Sequence, residues 1–149
     1  ITLPEAYNVV YEQTRNLNRL LADAHGRAID RLLHLVEADH IIVDQFGKAD
    51  LVARALGKHG HLTPLEQRFR AEEIPQVAAA SVIARAEFIR QMEALSARFG
   101  LELPKGAAPH VDQAGRELVK RHGLDALRLT AKTHFKNFQR VTDPSLFTR

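Results

Sequence analysis

Residues 41–43, Ile-Ile-Val, form a continuous β-branched run between two stretches of helical periodicity. Such a run is typical of a strand that is buried on both faces, as in a parallel sheet. Before it, apolar residues recur at three- and four-residue steps over 16–37, which predicts a helix that Asn16 can cap. The sequence therefore predicts an α/β fold in which a central sheet is flanked by helices.

Proline, glycine and the spacing of apolar residues predict the other elements. We expect helices over 4–14, 49–56, 75–98 and 110–122, a helical turn over 125–129 and a second strand over 65–70. In the helix over 75–98, the residues Val82, Ile83, Phe88, Ile89, Met92 and Leu95 are expected to face inward, and the alanines of 78–81 to pack on the sheet. Residues 1–141 are expected to form the domain and residues 142–149 a tail.

Composition limits the class of protein. The chain has 149 residues, of which 45% are apolar and 26% charged, as in one ordinary globular domain. It contains no cysteine and no apolar run of the roughly 18 residues that span a membrane. A cytoplasmic protein without a membrane partner is the expectation. The net charge of +3 is compatible with a polyanionic partner.

Two carboxylates stand where strands are predicted to end. Asp44 follows the β-branched run, and Glu72 precedes the helix that Pro75 opens. If the two strands are neighbours, both carboxylates emerge at one edge of the sheet, where open α/β sheets bind ligands. Clustered carboxylates repel one another and favour a hard divalent cation such as Mg²⁺. The alternative is that the acidic residues only stabilise the start of a helix.

Seven short motifs occur in order along the chain. They are Leu3-Pro4-Glu5-Ala6-Tyr7-Asn8, the segment 16–22, Asp44-Gln45-Phe46, Arg70-Ala71-Glu72, the segment 77–85, Leu103-Pro104-Lys105-Gly106-Ala107, and Ala131-Lys132-Thr133-His134-Phe135-Lys136-Asn137. Together they resemble the C-terminal two-thirds of the catalytic domain of bacterial ribonuclease HIII, a type 2 ribonuclease H. Both tyrosines, Tyr7 and Tyr11, lie near the start, which favours this branch over ribonuclease HII, whose junction-reading tyrosine lies in the C-terminal half.

The resemblance implies the C-terminal portion of a ribonuclease H-like fold and hydrolysis of the RNA strand of RNA/DNA hybrids by a two-metal-ion mechanism with Mg²⁺ or Mn²⁺. It implies that Asp44 is the third of four catalytic carboxylates and Glu72 the fourth. Glu73 is the fallback, because the family's next segment is about one residue longer. Arg85, Lys132 and His134 are then candidate nucleic-acid contacts; the alternative for the two cations is an ordinary solvated surface, and for His134 a local backbone bond.

The family's first two carboxylates form an adjacent Asp-Glu pair, and no such dipeptide occurs in these 149 residues. The resemblance therefore implies half an active site, so that the isolated chain is expected to be inactive and to need the missing N-terminal part as a partner. Two alternatives stay open: a non-catalytic nucleic-acid-binding module on the same scaffold, or an inactive fragment.

Overall fold

The computed structural model describes residues 1–48, 50–143 and 145. In that part of the chain, the helices are α1 (Pro4–Thr14), α2 (Leu17–Leu33), α3 (Asp50–Ala55), α4 (Pro75–Phe99), α5 (Pro109–His122), α6 (Leu124–Thr130) and α7 (Lys136–Thr142). The strands are β1 (Ile41–Asp44) and β2 (Leu65–Arg68), and short 3-10 turns occupy Gly60–Leu62 and Ala71–Glu73. No helix within these ranges has the length and apolar character needed to cross a membrane.

Most predicted elements are confirmed within a few residues. The prediction was wrong at two ends: α2 stops at Leu33 rather than residue 37, and β2 stops at Arg68 rather than residue 70. At the first, the Leu35 N–H bonds the carbonyl of Leu32, an i to i+3 bond that tightens and ends the helix. The predicted start of α3 at Ala49 and most of the predicted tail, Pro144 and 146–149, lie outside the described residues.

The chain divides into two compact units, and residues 14–84 form one of them. Its two strands pair in parallel, with Ile41 opposite Leu65 and Asp44 opposite Arg68. One face of β1 is buried, because Ile41 and Val43 join a core with side chains of α2, α3 and the segment that follows α3, namely Ala22, Val52 and Leu56. Ile42, which points to the other face, is only half-buried. The sequence predicted that β1 is buried on both faces, and in the structure only one face is buried.

Two features hold α2 against the segment around α3. One is a close crossing of the helices, and the other is a set of hydrogen bonds from backbone N–H groups to the Asp30 carboxylate. A Cβ at Gly26 would overlap the carbonyl oxygen of Ala55, so only glycine permits this approach. One turn later, the Asp30 carboxylate accepts hydrogen bonds from the N–H groups of Gly57 (2.6 Å) and Gly60 (3.2 Å). These contacts hold the loop that leads into β2.

Helix α4 departs from its predicted packing. None of its 25 residues is buried. Val82 and Ile83, predicted to face inward, are 68% and 70% exposed, and Phe88 is 43% exposed. Ala79 and Ala80, predicted to pack on the sheet, are exposed as well. The inward prediction holds in part, because Ile89, Met92 and Leu95 are half-buried, whereas the N-terminal half of the predicted face is exposed.

The second unit comprises residues 1–13 and the chain from residue 85 onward. Its core is formed by Leu118, Ala126 and Leu127, with flanking apolar side chains of α7 and of the segment after α4. At its edge, the buried Asp112 accepts hydrogen bonds from Arg140 Nε (2.5 Å) and Asn137 Nδ2 (2.5 Å). These bonds tie α7 to α5.

Replacing Asp112 by asparagine should lower the free energy of unfolding by about 1–3 kcal/mol at pH 7, because a charge-assisted pair inside the unit is lost. The hydrogen bond from Arg140 holds the pKa of Asp112 below its usual value of 3.8. The stabilisation is therefore complete above the unfolded-state pKa and is lost as the pH falls through the lower folded-state pKa.

Urea unfolding at several pH values tests this pair. The difference between wild type and Asp112→Asn should shrink as the pH falls below about 4. Asp125→Asn is the control, since its carboxylate is 90% exposed and pairs with Arg128 at the surface; it should change the free energy by less than about 0.5 kcal/mol. A pH-independent difference for Asp112→Asn would contradict the assignment.

Candidate metal centre and nucleic-acid contacts

Asp44 ends one strand, and Glu72 follows the end of the neighbouring strand by four residues. Asp44 is the last residue of β1 and stands opposite Arg68, the last residue of β2. The Gln45 N–H continues the ladder to the carbonyl of Arg68 at 3.0 Å. Because the strands are parallel, the segments after β1 and β2 emerge at the common carboxyl end of the two strands, where α/β sheets place ligands.

A hydrogen bond joins Asp44 to the segment that carries Glu72. The N–H of Ala71, a fully buried residue, donates to Asp44 Oδ1 at 3.0 Å. Glu72 is the next residue, with its Cα about 3.8 Å from that of Ala71 across one peptide bond. The two strands are therefore neighbours, which was the condition under which the sequence predicted that Asp44 and Glu72 lie at one edge of the sheet. The other oxygen of Asp44 has no hydrogen-bond partner among the described residues, and the side chain is exposed.

The backbone of Arg70 makes the turn between β2 and Glu72. Arg70 adopts a left-handed conformation with φ of 57°, which is uncommon for a residue other than glycine. The strand therefore ends at Arg68, and a 3-10 turn over Ala71–Glu73 follows. This conformation costs roughly 1–2 kcal/mol, and such strained turns cluster at functional sites.

Glu72 and Glu73 differ in their contacts. Glu73 Oε1 lies 3.4 Å from Arg70 Nε in an exposed ion pair. The Glu72 side chain is exposed and has neither an ion pair nor a hydrogen bond within the described residues. Of the two, Glu72 is the carboxylate without an ion pair among the described residues, which favours the preference that the motif Arg70-Ala71-Glu72 indicated.

These donors fit part of a divalent-cation site. Carboxylate oxygens are the ligands that Mg²⁺ prefers, and Mg²⁺ commonly takes one or two of them together with water and substrate phosphate. Within residues 1–48, 50–143 and 145, however, no group of three or more His, Asp or Glu side chains is arranged to hold a metal ion. Asp44 and Glu72 would therefore supply some of the ligands of such an ion and leave others to be supplied from elsewhere.

Lys132 and His134, the predicted nucleic-acid contacts, belong to a cluster of rings in the other unit. The Lys132 Nζ lies 4.6 Å from the ring centroid of Tyr7 and 5.4 Å from that of Phe135. The His134 ring stacks on Tyr11, with 3.7 Å between the ring centroids. Lys132 makes no ion pair with a carboxylate in the described part of the chain, so its ammonium group is held by rings and keeps its donors for an anion.

Asn8 anchors this cluster and was not predicted. Asn8 is buried, and its Nδ2 donates to the carbonyls of Arg128 and Ala131, each at 3.0 Å. Its Oδ1 accepts from the N–H of Thr133 at 3.0 Å. One side chain on α1 therefore fixes the backbone on both sides of Lys132. Asn8 stands in the first motif, but no local signal identifies a partner about 120 positions away or more.

Burial lowers the pKa values of two groups in the cluster. Burial lowers the pKa of Lys132, and burial together with the neighbouring Lys132 charge lowers the pKa of His134. Neutral His134 is therefore the expected form at pH 7. Its Nδ1 and the Tyr7 hydroxyl are buried without a hydrogen-bond partner among the described residues. Of the two predicted contacts, Lys132 thus offers the positive charge, and the main contacts of His134 are with rings.

Arg85, the third predicted contact, is exposed in the middle of α4. Its guanidinium lies 5.3 Å from the ring centroid of Phe88, one turn along the same helix. It forms no ion pair with a described carboxylate. This arrangement leaves the cation available to a phosphate, but no further described group converges on it.

Comparisons with known proteins identify relatives over nearly the whole chain. A family model described as ribonuclease HII matches residues 2–138. Ribonuclease HIII of Chlamydia abortus is 41% identical over 145 residues, which make up 96% of this chain and 48% of that protein. Ribonuclease HIII of Bacillus licheniformis is 39% identical over 144 residues, with 92% and 45% covered.

A solved structure, Bst-RNase HIII in complex with Mn²⁺, superimposes with a TM-score of 0.87 at 31% identity. The superposition covers 97% of this chain and 49% of that one. The chain therefore spans about half the length of the relatives that it matches.

Proposed function

The chain belongs to the ribonuclease HII family, within which the relatives described above are ribonucleases HIII, and we propose that it supplies the C-terminal part of the active site of an endoribonuclease that cleaves the RNA strand of RNA/DNA hybrids. The resemblance that the motifs carry, and the ribonuclease H-like α/β fold expected from it, are both confirmed. The observation that carries the proposal is the bond from the Ala71 N–H to Asp44, which brings the segment bearing Glu72 to the carboxyl end of β1.

In this proposal, Asp44 and Glu72 hold Mg²⁺ or Mn²⁺ at the sheet edge. A divalent ion bound there would supply Lewis-acid activation and charge neutralisation for phosphodiester hydrolysis. The protein's part is orientation. The Ala71 N–H holds one oxygen of Asp44, and Arg70 pairs with Glu73 at the surface. The expected products carry 5′-phosphate and 3′-hydroxyl ends.

Reconstitution tests the proposal. The isolated chain should show little or no cleavage of a hybrid in Mg²⁺ or Mn²⁺, because it contributes only some of the ligands. Addition of the part of Chlamydia abortus ribonuclease HIII that this chain does not match should restore metal-dependent cleavage. Robust cleavage by the 149 residues alone would show that the site is complete without a partner, contrary to the proposal.

A second candidate function is a non-catalytic nucleic-acid-binding module. The ring-held Lys132, which has no carboxylate partner among the described residues, favours it. Hybrid binding without cleavage in the reconstituted protein, with both tested metals, would support this alternative over the endoribonuclease.

Replacing Lys132 by alanine should weaken hybrid binding and reduce the steepness of its salt dependence, because one phosphate contact is lost. The slope of log K against log salt should fall in magnitude by about 1, and affinity should fall similarly for every sequence. Fluorescence anisotropy between about 50 and 200 mM KCl in EDTA measures both quantities.

Lys120→Ala is the matched control, since it removes the same charge from an exposed position of α5. Its salt slope should stay close to that of the wild type. If both variants shift the slope equally, the effect is one of overall charge, and Lys132 is not a specific contact.

A further inference from the structure

Two imidazole rings lie against each other at the C-terminal end of α2. His34 follows the last residue of α2, and His59 stands in the loop between α3 and β2. Their ring centroids are 4.1 Å apart, with 59° between the ring planes. Both side chains are exposed, so an ion in the solvent can reach the pair.

The hydrogen bond of His34 determines which of its ring nitrogens is free. Nδ1 lies 2.6 Å from the backbone carbonyl oxygen of Asp30. A carbonyl oxygen can only accept a hydrogen bond, so Nδ1 carries the proton and donates it. In the neutral ring, Nε2 then has the free lone pair, and an imidazole of this tautomer binds a metal ion through that nitrogen.

The carboxylate of the same Asp30 holds the loop that carries His59. It accepts hydrogen bonds from the N–H groups of Gly57 (2.6 Å) and Gly60 (3.2 Å), which lie on either side of His59. Asp30 therefore bonds to the His34 ring through its carbonyl group and to the backbone around His59 through its carboxylate. Hydrogen bonds of this kind orient metal-binding imidazoles in proteins.

We propose that His34 and His59 form a binding site for a transition-metal ion of the Zn²⁺ type. Imidazole nitrogen suits Zn²⁺, Cu²⁺ and Ni²⁺, whereas Mg²⁺ and Mn²⁺ prefer oxygen ligands. In the part of the chain that the structure describes, no third His, Asp or Glu side chain completes the set, so water would fill the remaining positions. Neither histidine is a proposed ligand of the catalytic metal ions. The site therefore goes beyond the proposed function and does not depend on it.

An ion bound to both rings would join the end of α2 to the loop that precedes β2. Any opening that separates the two segments then has to release one ligand. At a free Zn²⁺ concentration of about ten times the dissociation constant, such openings should become about tenfold rarer. Hydrogen exchange of the amides of residues 57–62 should slow by a similar factor. Mg²⁺ at the same concentration should leave this exchange unchanged, because it binds imidazole poorly.

Calorimetric titration of the 149-residue chain with Zn²⁺ tests the site. Every protein used in the titration carries Asp44→Asn and Glu72→Gln, so that the proposed catalytic site contributes no binding heat. In this background, His34→Gln and His59→Gln should each weaken Zn²⁺ binding at least about tenfold, because each removes a ligand.

His61→Gln is the matched control, since it removes an exposed imidazole from the same loop. It should keep the Zn²⁺ affinity within about twofold. His34 and His59 are exposed, so both variants should keep the parent urea midpoint without metal, which separates a lost ligand from a lost fold. Unchanged Zn²⁺ affinity in His34→Gln and His59→Gln, an equal loss in His61→Gln, or equal slowing of exchange by Mg²⁺ would overturn the proposal.

Discussion

Replacing Asp44 by asparagine should reduce metal-dependent cleavage by the reconstituted protein at least about 100-fold. Substitution of residues that only support metal ligands typically lowers metal affinity or activity by about 10- to 100-fold. Asp44 is proposed to be a ligand itself, so the loss should be at least as large. Asparagine keeps an oxygen that can accept the bond from the Ala71 N–H, so the turn that carries Glu72 should persist. Initial rates on a labelled hybrid, at saturating Mg²⁺ and Mn²⁺, measure the loss.

Asp50→Asn is the matched control for this substitution. Asp50 is an exposed carboxylate of the same unit, and it pairs with Arg54 along α3 at 2.6 Å. Its substitution should leave the cleavage rate within about twofold of the wild-type rate, because exposed ion pairs contribute little to stability. If Asp44→Asn retains full activity while the wild-type complex cleaves hybrid, Asp44 is not a metal ligand.

Replacing Asn8 by alanine should lower the free energy of unfolding by about 2–4 kcal/mol. The substitution leaves two carbonyls and one N–H without their partner in a partly buried place, where each group costs up to roughly 1–3 kcal/mol. Because those groups flank Lys132, hydrogen exchange should also accelerate over residues 131–134. Urea unfolding and exchange mass spectrometry measure the two effects.

Asn18→Ala provides the comparison, because Asn18 is exposed on α2. It should change stability by less than about 0.5 kcal/mol and leave exchange over 131–134 unchanged. Equal destabilisation by the two variants would mean that the bonds made by Asn8 contribute nothing specific to the segment around Lys132.

Short sequence patterns correctly predicted the parts of this fold that depend on residues close to one another in the chain. The β-branched run predicted β1 and placed Asp44 at its end, and Asn16 caps α2 by accepting from the Arg19 N–H. Gly100 follows the end of α4 in the left-handed conformation that glycine favours just after a helix. In each case the signal and the structure that it determines lie within a few residues of one another.

Long-range contacts escaped prediction for a physical reason. Asn8 is an ordinary polar residue on a helix until the segment 128–133 folds against it. Val82 and Ile83 show the converse, because spacing reveals that a face is apolar but not which polypeptide covers it. The preference for Glu72 over Glu73 gained its support from Arg70, whose left-handed turn and ion pair no pattern indicated.

The proposal that Asp44 and Glu72 help to hold the two divalent cations is tested most directly by Mn²⁺ binding to the reconstituted protein, followed by electron paramagnetic resonance. Asp44→Asn and Glu72→Gln should each weaken Mn²⁺ binding at least about tenfold, whereas Glu73→Gln should leave it within about twofold. Unchanged Mn²⁺ affinity in both Asp44→Asn and Glu72→Gln, or a loss confined to Glu73→Gln, would contradict the assignment.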